Sequence, residues 1–145
     1  MEEWDSVDVL LAEDNAFDAE LTVLALQKIA PAIKVVRVHD GAEALQFIFR
    51  QGPFADRNET MPKLVLLDLD MPRAGGMEVL RQLREFPATK ELPVAIITAS
   101  TQQNDYFQTQ ELRALEYFVK PVDAQAFVDL ARPIGLEIAV SGNDA

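Results

Sequence analysis

An α/β fold with a parallel sheet covered on both faces is what this sequence predicts, on two observations. Short apolar runs alternate with longer amphipathic segments five times along the chain. Residues with reactive side chains fall where those runs stop, as in LVLLDLDMPRAGG (64–76), where four aliphatics end at Asp68 and Asp70 before a turn at Met71-Pro72. Unbroken aliphatic runs of this length suit strands buried on both faces, and the intervening helices supply the cover.

Residues 7–12 form the first expected strand. Phe17, Leu21, Leu24 and Ile29 then mark one face of a helix, with Asn15 as its cap and Asp18 three residues on. Residues 34–38 read as a second strand. Asp40 offers the next cap, Glu43 stands at the capping-box position, and Leu45, Ile48 and Phe49 form the apolar face. The polar stretch QGPFADRNETMP (51–62) is expected to be a surface excursion. A third strand follows at 64–67, with Met77, Leu80 and Leu83 marking its helix, and a fourth strand at 94–97. Residues 100–112 form a weaker helix that begins with polar TQQND. The fifth strand, 117–119, is very short, and its helix spans 124–131. Pro133 and Gly135 end or kink that helix. Apolar Leu136, Ile138 and Val140 continue into a tail whose last five residues are expected to fray.

The 145 residues suit one domain with a real core. We expect residues 1–145 to form that single domain, with an extension at 1–6, a tail at 132–145 and no output domain. Thirteen basic against 24 acidic residues give a net charge of −11 and no basic cluster, which argues against a nucleic-acid surface. With no cysteine, thiol catalysis, disulfides and thiolate metal sites are excluded. The acidic start MEEWDSVDVL is unlike a signal peptide, and no apolar run approaches the roughly 18 residues of a membrane span. A cytoplasmic protein is expected.

The first strand ends at Glu13 and Asp14, the third at Asp68, the fourth at Thr98 and the fifth at Lys120. In a parallel sheet all these carboxyl ends share one edge, where such sheets bind ligands. Ionised together, Glu13, Asp14 and Asp68 would repel one another, and a hard divalent cation such as Mg²⁺ resolves the conflict. Thr98 and Lys120 are the donors an incoming phosphoryl group needs. Asp68, on the central strand, can attack phosphorus to form an acyl phosphate.

Four ordered motifs, LLAEDNAFDAEL, LLDLDMPRAGGMEVL, IITAS and EYFVKPVD, resemble a response-regulator receiver domain over about residues 7–131. The resemblance implies a five-stranded, doubly wound, flavodoxin-like sheet in the order 2-1-3-4-5 with five helices. It implies that Asp68 accepts a phosphoryl group from a sensor histidine kinase or a phosphotransfer protein. Mg²⁺ would be held by Asp14 and Asp68, by the backbone carbonyl of Asp70, and by Glu13 mainly through water. Thr98 and Lys120 would hold phosphoryl oxygens, Tyr117 would be the aromatic that turns inward on activation, and the bond before Pro121 would be cis. The long loop before the third strand, DGAEALQFIFRQGPF, PVAIITAST and the lack of glycine before EYFVKP further resemble small stand-alone regulators partnered with bacterial phytochromes.

Three positions depart from the family's usual pattern: Asp70 where Asn is common, Gly75 where Asp is common, and Arg113 where a small residue is usual. An extra carboxylate at Asp70 bears on phosphoryl lifetime, and Arg113 on the turn into the fifth strand. Each site residue also has a plainer reading. Asp68 alone would be a cap, Glu13 and Asp14 would be acids before a helix N-terminus, Thr98 and Lys120 would be structural or solvated, and Tyr117 would be core. Only the ensemble promotes them. His39 is expected to be an exposed loop residue, and Met71 and Met77 core or turn residues.

DLD also resembles the nucleophile pair of haloacid-dehalogenase-type phosphatases, but it follows the third strand and lacks their Gly-Thr turn. The stronger rival is a pseudo-receiver that binds partners without phosphorylation. On the receiver reading the protein is no general enzyme, since it catalyses only its own phosphorylation and dephosphorylation. Phosphorylation shifts a population in which Thr98 and Tyr117 rearrange. Exposed Tyr106, Phe107 and the tail at 134–140 are candidate contact surfaces. The tail is either a homodimer arm or a segment packed on its own domain.

Overall fold

Three strands are buried along their whole length, β1 (Val9–Ala12), β3 (Leu64–Asp68) and β4 (Val94–Thr98). They form the middle of a five-stranded parallel sheet, with β2 (Val35–Val38) and β5 (Glu116–Val119) at its edges, in the order β2-β1-β3-β4-β5. This computed structural model describes residues 6–58, 60–71, 73–99 and 103–138. Pro72, the start of the fourth predicted helix at 100–102 and the tail beyond 138, Val140 included, lie outside them.

Helices cover both faces. On one, α1 (Ala16–Ile29) and α5 (Ala124–Ala131) bring Leu26, Ile29, Phe127 and Val128 onto Val9, Leu11, Leu66 and Ile97. On the other, α2 (Gly41–Ile48) and α3 (Gly76–Glu85) bring Phe47, Ile48, Val79, Leu80 and Leu83 onto Leu10, Val65, Leu67 and Ile96. Burial of each large aliphatic or aromatic side chain stabilises the fold by about 1.5–3 kcal/mol. α4 (Gln103–Glu111) precedes β5. The register aligns the strand ends: Ala12 pairs with Leu67, Asp68 with Ile97, and Thr98 with Val119. Glu13, Asp68, Thr98 and Lys120 are thereby brought to one edge.

The fold corrects two expectations. Of the predicted core stripe of α1, only Ile29 is buried; Phe17 is 67% exposed, and Leu21 and Leu24 face solvent too. The helix is apolar on two sides, and it turns Ala19, Thr22, Leu26 and Ile29 inward. Small Ala19 and Thr22 let it lie close on the strands, which leaves the bulkier stripe outside. Residues 51–62 are also more than a surface excursion. Phe54 and Arg57 are buried, and the Arg57 guanidinium stacks 4.3 Å from the centre of the Phe47 ring. Its Nε donates to the Phe47 carbonyl (3.0 Å) and Nη1 to that of Thr60 (2.7 Å), tying the loop to the end of α2. Leu136 is buried in the core cluster that α1 and α5 also join, with Ile134 and Ile138 partly buried against that cluster, so through residue 138 the tail packs on its own domain.

Two further arginines hold loops in place. Arg84, at the end of α3, donates from Nε to the Leu112 carbonyl (2.8 Å), from Nη1 to those of Leu92 (2.8 Å) and Lys90 (3.1 Å), and from Nη2 to that of Arg113 (3.3 Å). Arg113 itself has φ 62°, so it adopts the left-handed conformation without being glycine. Arg73, in the loop between β3 and α3, pairs with Asp40 at 2.9 Å, and its carbonyl accepts from Ala42 N–H at 2.8 Å. Arg73 and Ala74 are both left-handed (φ 49° and 76°) and are held so by this contact with the start of α2. A Cβ on Gly41 would collide with the Ala74 carbonyl.

Asp40 also caps α2 by accepting from Glu43 N–H at 2.7 Å. Burial by itself would raise its carboxyl pKa, but that backbone bond and Arg73 outweigh it and hold the pKa below the ordinary 3.8. A depressed acid pKa stabilises the fold above the unfolded value, and the contribution is lost as pH falls through the folded one. Asp40→Asn keeps a good cap but loses the pair. Its stability deficit in urea denaturation is therefore expected at pH 7 and should shrink progressively as pH falls below 3.8. Gly41→Ala is expected to cost about 1–3 kcal/mol in the same assay, the scale of overpacking.

Candidate functional site

Asp68 closes β3 and is only 3% exposed. Its Oδ1 accepts from the Asp70 backbone N–H at 3.1 Å, and its Oδ2 from Lys120 Nζ at 3.0 Å. Neighbouring Glu13, one residue beyond β1, is fully buried. Its Oε2 accepts from Asn15 N–H at 3.2 Å, while Oε1 stands 2.8 Å from Lys120 Nζ. That second approach has the distance of an ion pair but not the angle of a hydrogen bond, so Oε1 is a buried oxygen without a hydrogen-bonding partner. Asp14 is exposed, and one oxygen from each of Glu13, Asp14 and Asp68 falls within 4.8 Å of the others.

Lys120 follows β5, and its backbone N–H donates to the Thr98 carbonyl at 2.8 Å. The bond from Lys120 to Pro121 is cis. Thr98 is fully buried at the end of β4. Tyr117 is half-buried against the α2–α3 core and meets Tyr106 of α4 edge-on, with ring centroids 5.5 Å apart. Asp70 is exposed and contributes a backbone group, its N–H, to Asp68. His39 is exposed and bonded to Glu43. Met71 and Met77 are partly buried.

Sequence reading missed one member of this group. Asp18, in the first turn of α1, places Oδ2 2.9 Å from Lys120 Nζ. Its only local signal was its place three residues after the Asn15 cap, where its N–H donates to Asn15 Oδ1 at 2.9 Å. Its partner is 102 residues away.

The electrostatics follow from this crowding. Burial, reinforced by Asp68, pushes the Glu13 carboxyl up to about 7 from an ordinary 4.5. Burial alone would lower the Lys120 pKa, but Glu13, Asp18 and Asp68 overcome it and raise the ammonium above its usual value. One cation serves three carboxylates. The trio of hard oxygen donors, one of them a buried oxygen that accepts no hydrogen bond, has the chemistry of an Mg²⁺ site.

The sequence profile of the response regulator receiver domain matches residues 9–132. The chain belongs to the response-regulator receiver family. Rcp1, a response regulator of Synechocystis sp., is 32% identical over 112 residues, covering 77% of this chain and 75% of its own. The crystal structure of Rcp1 in its Mn(2+)-bound form superposes with a TM-score of 0.71 at 29% identity, covering 92% of this chain and 96% of that one. The bacteriophytochrome response regulator RtBRR gives 0.79 at 37% identity over 94% and 82% of the two chains. AtBRR, also a bacteriophytochrome response regulator, gives 0.80 at 35% identity over 93% and 96%. Among the described residues no helix is long and apolar enough to cross a membrane.

A cation that binds the folded acidic trio and not the unfolded chain must stabilise the fold. Millimolar Mg²⁺ is expected to raise the thermal midpoint of the wild-type receiver, and Asp14→Asn should abolish most of that increase. Calorimetric scans with and without a chelator will show it.

Proposed function

We propose that this receiver accepts a phosphoryl group on Asp68 from a histidine kinase or phosphotransfer protein, and passes the signal on by protein contact. The observation that carries the reading is the Asp68 carboxylate itself. It is fixed by Asp70 N–H on one oxygen and Lys120 on the other, beside Glu13 and Asp14. An Asp68 oxygen attacks phosphorus, the bond from phosphorus to the donor histidine nitrogen breaks, and the imidazole leaves with its electron pair and takes up a proton. Lys120 Nζ turns to the phosphoryl oxygens, where a charge-assisted bond is strong. Thr98 supplies the second donor from the end of β4. Asp14, Asp68 and the Asp70 carbonyl would hold Mg²⁺, with Glu13 acting mainly through water, and the ion would supply positive charge against the carboxylates and the incoming phosphoryl group.

The buried strands hold Asp68 rigid, so the change on phosphorylation falls to Thr98 and to Tyr117, which is already partly inside. Next to the site, exposed Phe17, Leu21 and Leu24 of α1 form the apolar strip we assign to the phosphodonor. A phytochrome kinase as that donor is supported by the likeness to Rcp1, RtBRR and AtBRR. Tyr106 and Phe107, exposed on α4 beside Tyr117, are the surface we assign to output, toward another protein or a second copy of this chain. We place the protein in the cytoplasm, where such a kinase domain would meet it.

Incubation with Mg²⁺ and acetyl phosphate should add the mass of one phosphoryl group to the intact protein. The adduct should be lost in Asp68→Asn and when Mg²⁺ is chelated. A folded wild type that stays unlabelled would instead mark an interaction module that works without phosphorylation.

A further inference from the structure

Lys120 has three N–H donors, and three carboxylates stand at its ammonium: Glu13 Oε1 at 2.8 Å, Asp18 Oδ2 at 2.9 Å and Asp68 Oδ2 at 3.0 Å. Two of these belong to the acidic trio and are buried. Asp18 belongs to α1 instead, and its side chain is 33% exposed against 0% for Glu13 and 4% for Asp68. A groove of about 310 Å³ opens beside the pair, lined by Asp18, Leu21, Thr22, Ala99, Lys120 and Pro121.

A phosphoryl group on Asp68 brings more negative charge and draws the ammonium toward itself, which weakens its hold on one of the three carboxylates. Withdrawing the cation from Glu13 or Asp68 strands a buried charge, which is costly. Water reaches Asp18, and a partly exposed pair is cheap to break. We propose that Asp18 is a positioning residue for phosphoryl acceptance. It holds the Lys120 ammonium at the groove in the resting protein and yields it to the phosphoryl oxygens, so the charge at position 18 sets how readily anionic phosphodonors react. The inference rests on Asp68 being the phosphoacceptor.

A purely local role for Asp18 also exists, since a carboxylate in the first turn favours the helix dipole. The two roles separate by charge, donor and spectrum. With acetyl phosphate and Mg²⁺, Asp18→Asn is expected to be labelled about two- to fivefold faster than wild type, the scale of a partly exposed ion pair. The gain should be smaller with phosphoramidate, which carries less negative charge. Asp18→Glu, which keeps the charge, should stay near the wild-type rate. In ¹⁵N-lysine-labelled protein without metal or donor, the Lys120 ammonium signal, identified by its loss in Lys120→Arg, should shift in Asp18→Asn and persist in Asp18→Glu.

A folded Asp18→Asn with wild-type rates, or with equal changes for both donors, overturns the inference. So does an ammonium signal that Asp18→Asn leaves unmoved. If wild type itself gains no phosphoryl mass, the failure lies with the phosphoacceptor reading, and this inference falls with it. A labelled wild type with an indifferent Asp18 refutes this inference alone.

Discussion

Without the Lys120 ammonium, the carboxyl edge of this sheet would hold more negative charge than a buried surface tolerates. Glu13 and Asp68 are both shut away from water, and Asp14 and Asp18 crowd them from the rim. Burial already raises the Glu13 pKa, the direction expected of an acid short of countercharge. A lone side chain at the end of the edge strand β5 compensates three of the four carboxylates. Because it is shared, it cannot satisfy any of them fully, and that residual deficit suits the site to a hard divalent cation. The fold's role is to keep these groups from relaxing apart, which it does by ending buried strands at the same level.

That the acids and Lys120 meet was legible in the sequence because a parallel sheet leaves few alternatives. Once alternating runs define the strands, every strand end faces the same way, and residues from Glu13 to Lys120 have to converge. Caps were legible for the same local reason: Asn15 and Asp40 accept from the N–H three residues on. What stayed hidden were contacts that leave no periodic trace. Asp18 looks like any first-turn acid until its partner arrives from the far end of the chain. Arg57, Arg73 and Arg84 carry no periodic signal in the sequence, yet each binds backbone or a cap.

The α1 misreading has a different origin. Two apolar stripes on one helix cannot both be core, and periodicity does not say which one faces the sheet. Side-chain size decided it, because Ala19 and Thr22 permit a closer approach than Phe17 and Leu21 would. The exposed stripe is then a standing cost in water, and its position beside the charged edge supports a binding role for it.

Arg84 has a consequence of a different kind. Its guanidinium grips the carbonyls of Lys90, Leu92, Leu112 and Arg113, and carbonyls are the same whatever side chain a residue bears. The two loops it joins are therefore held by a clasp that is blind to their sequence. Their side chains are free to diverge through descent, and surface recognition can be rewritten there, while the path of the main chain is inherited intact.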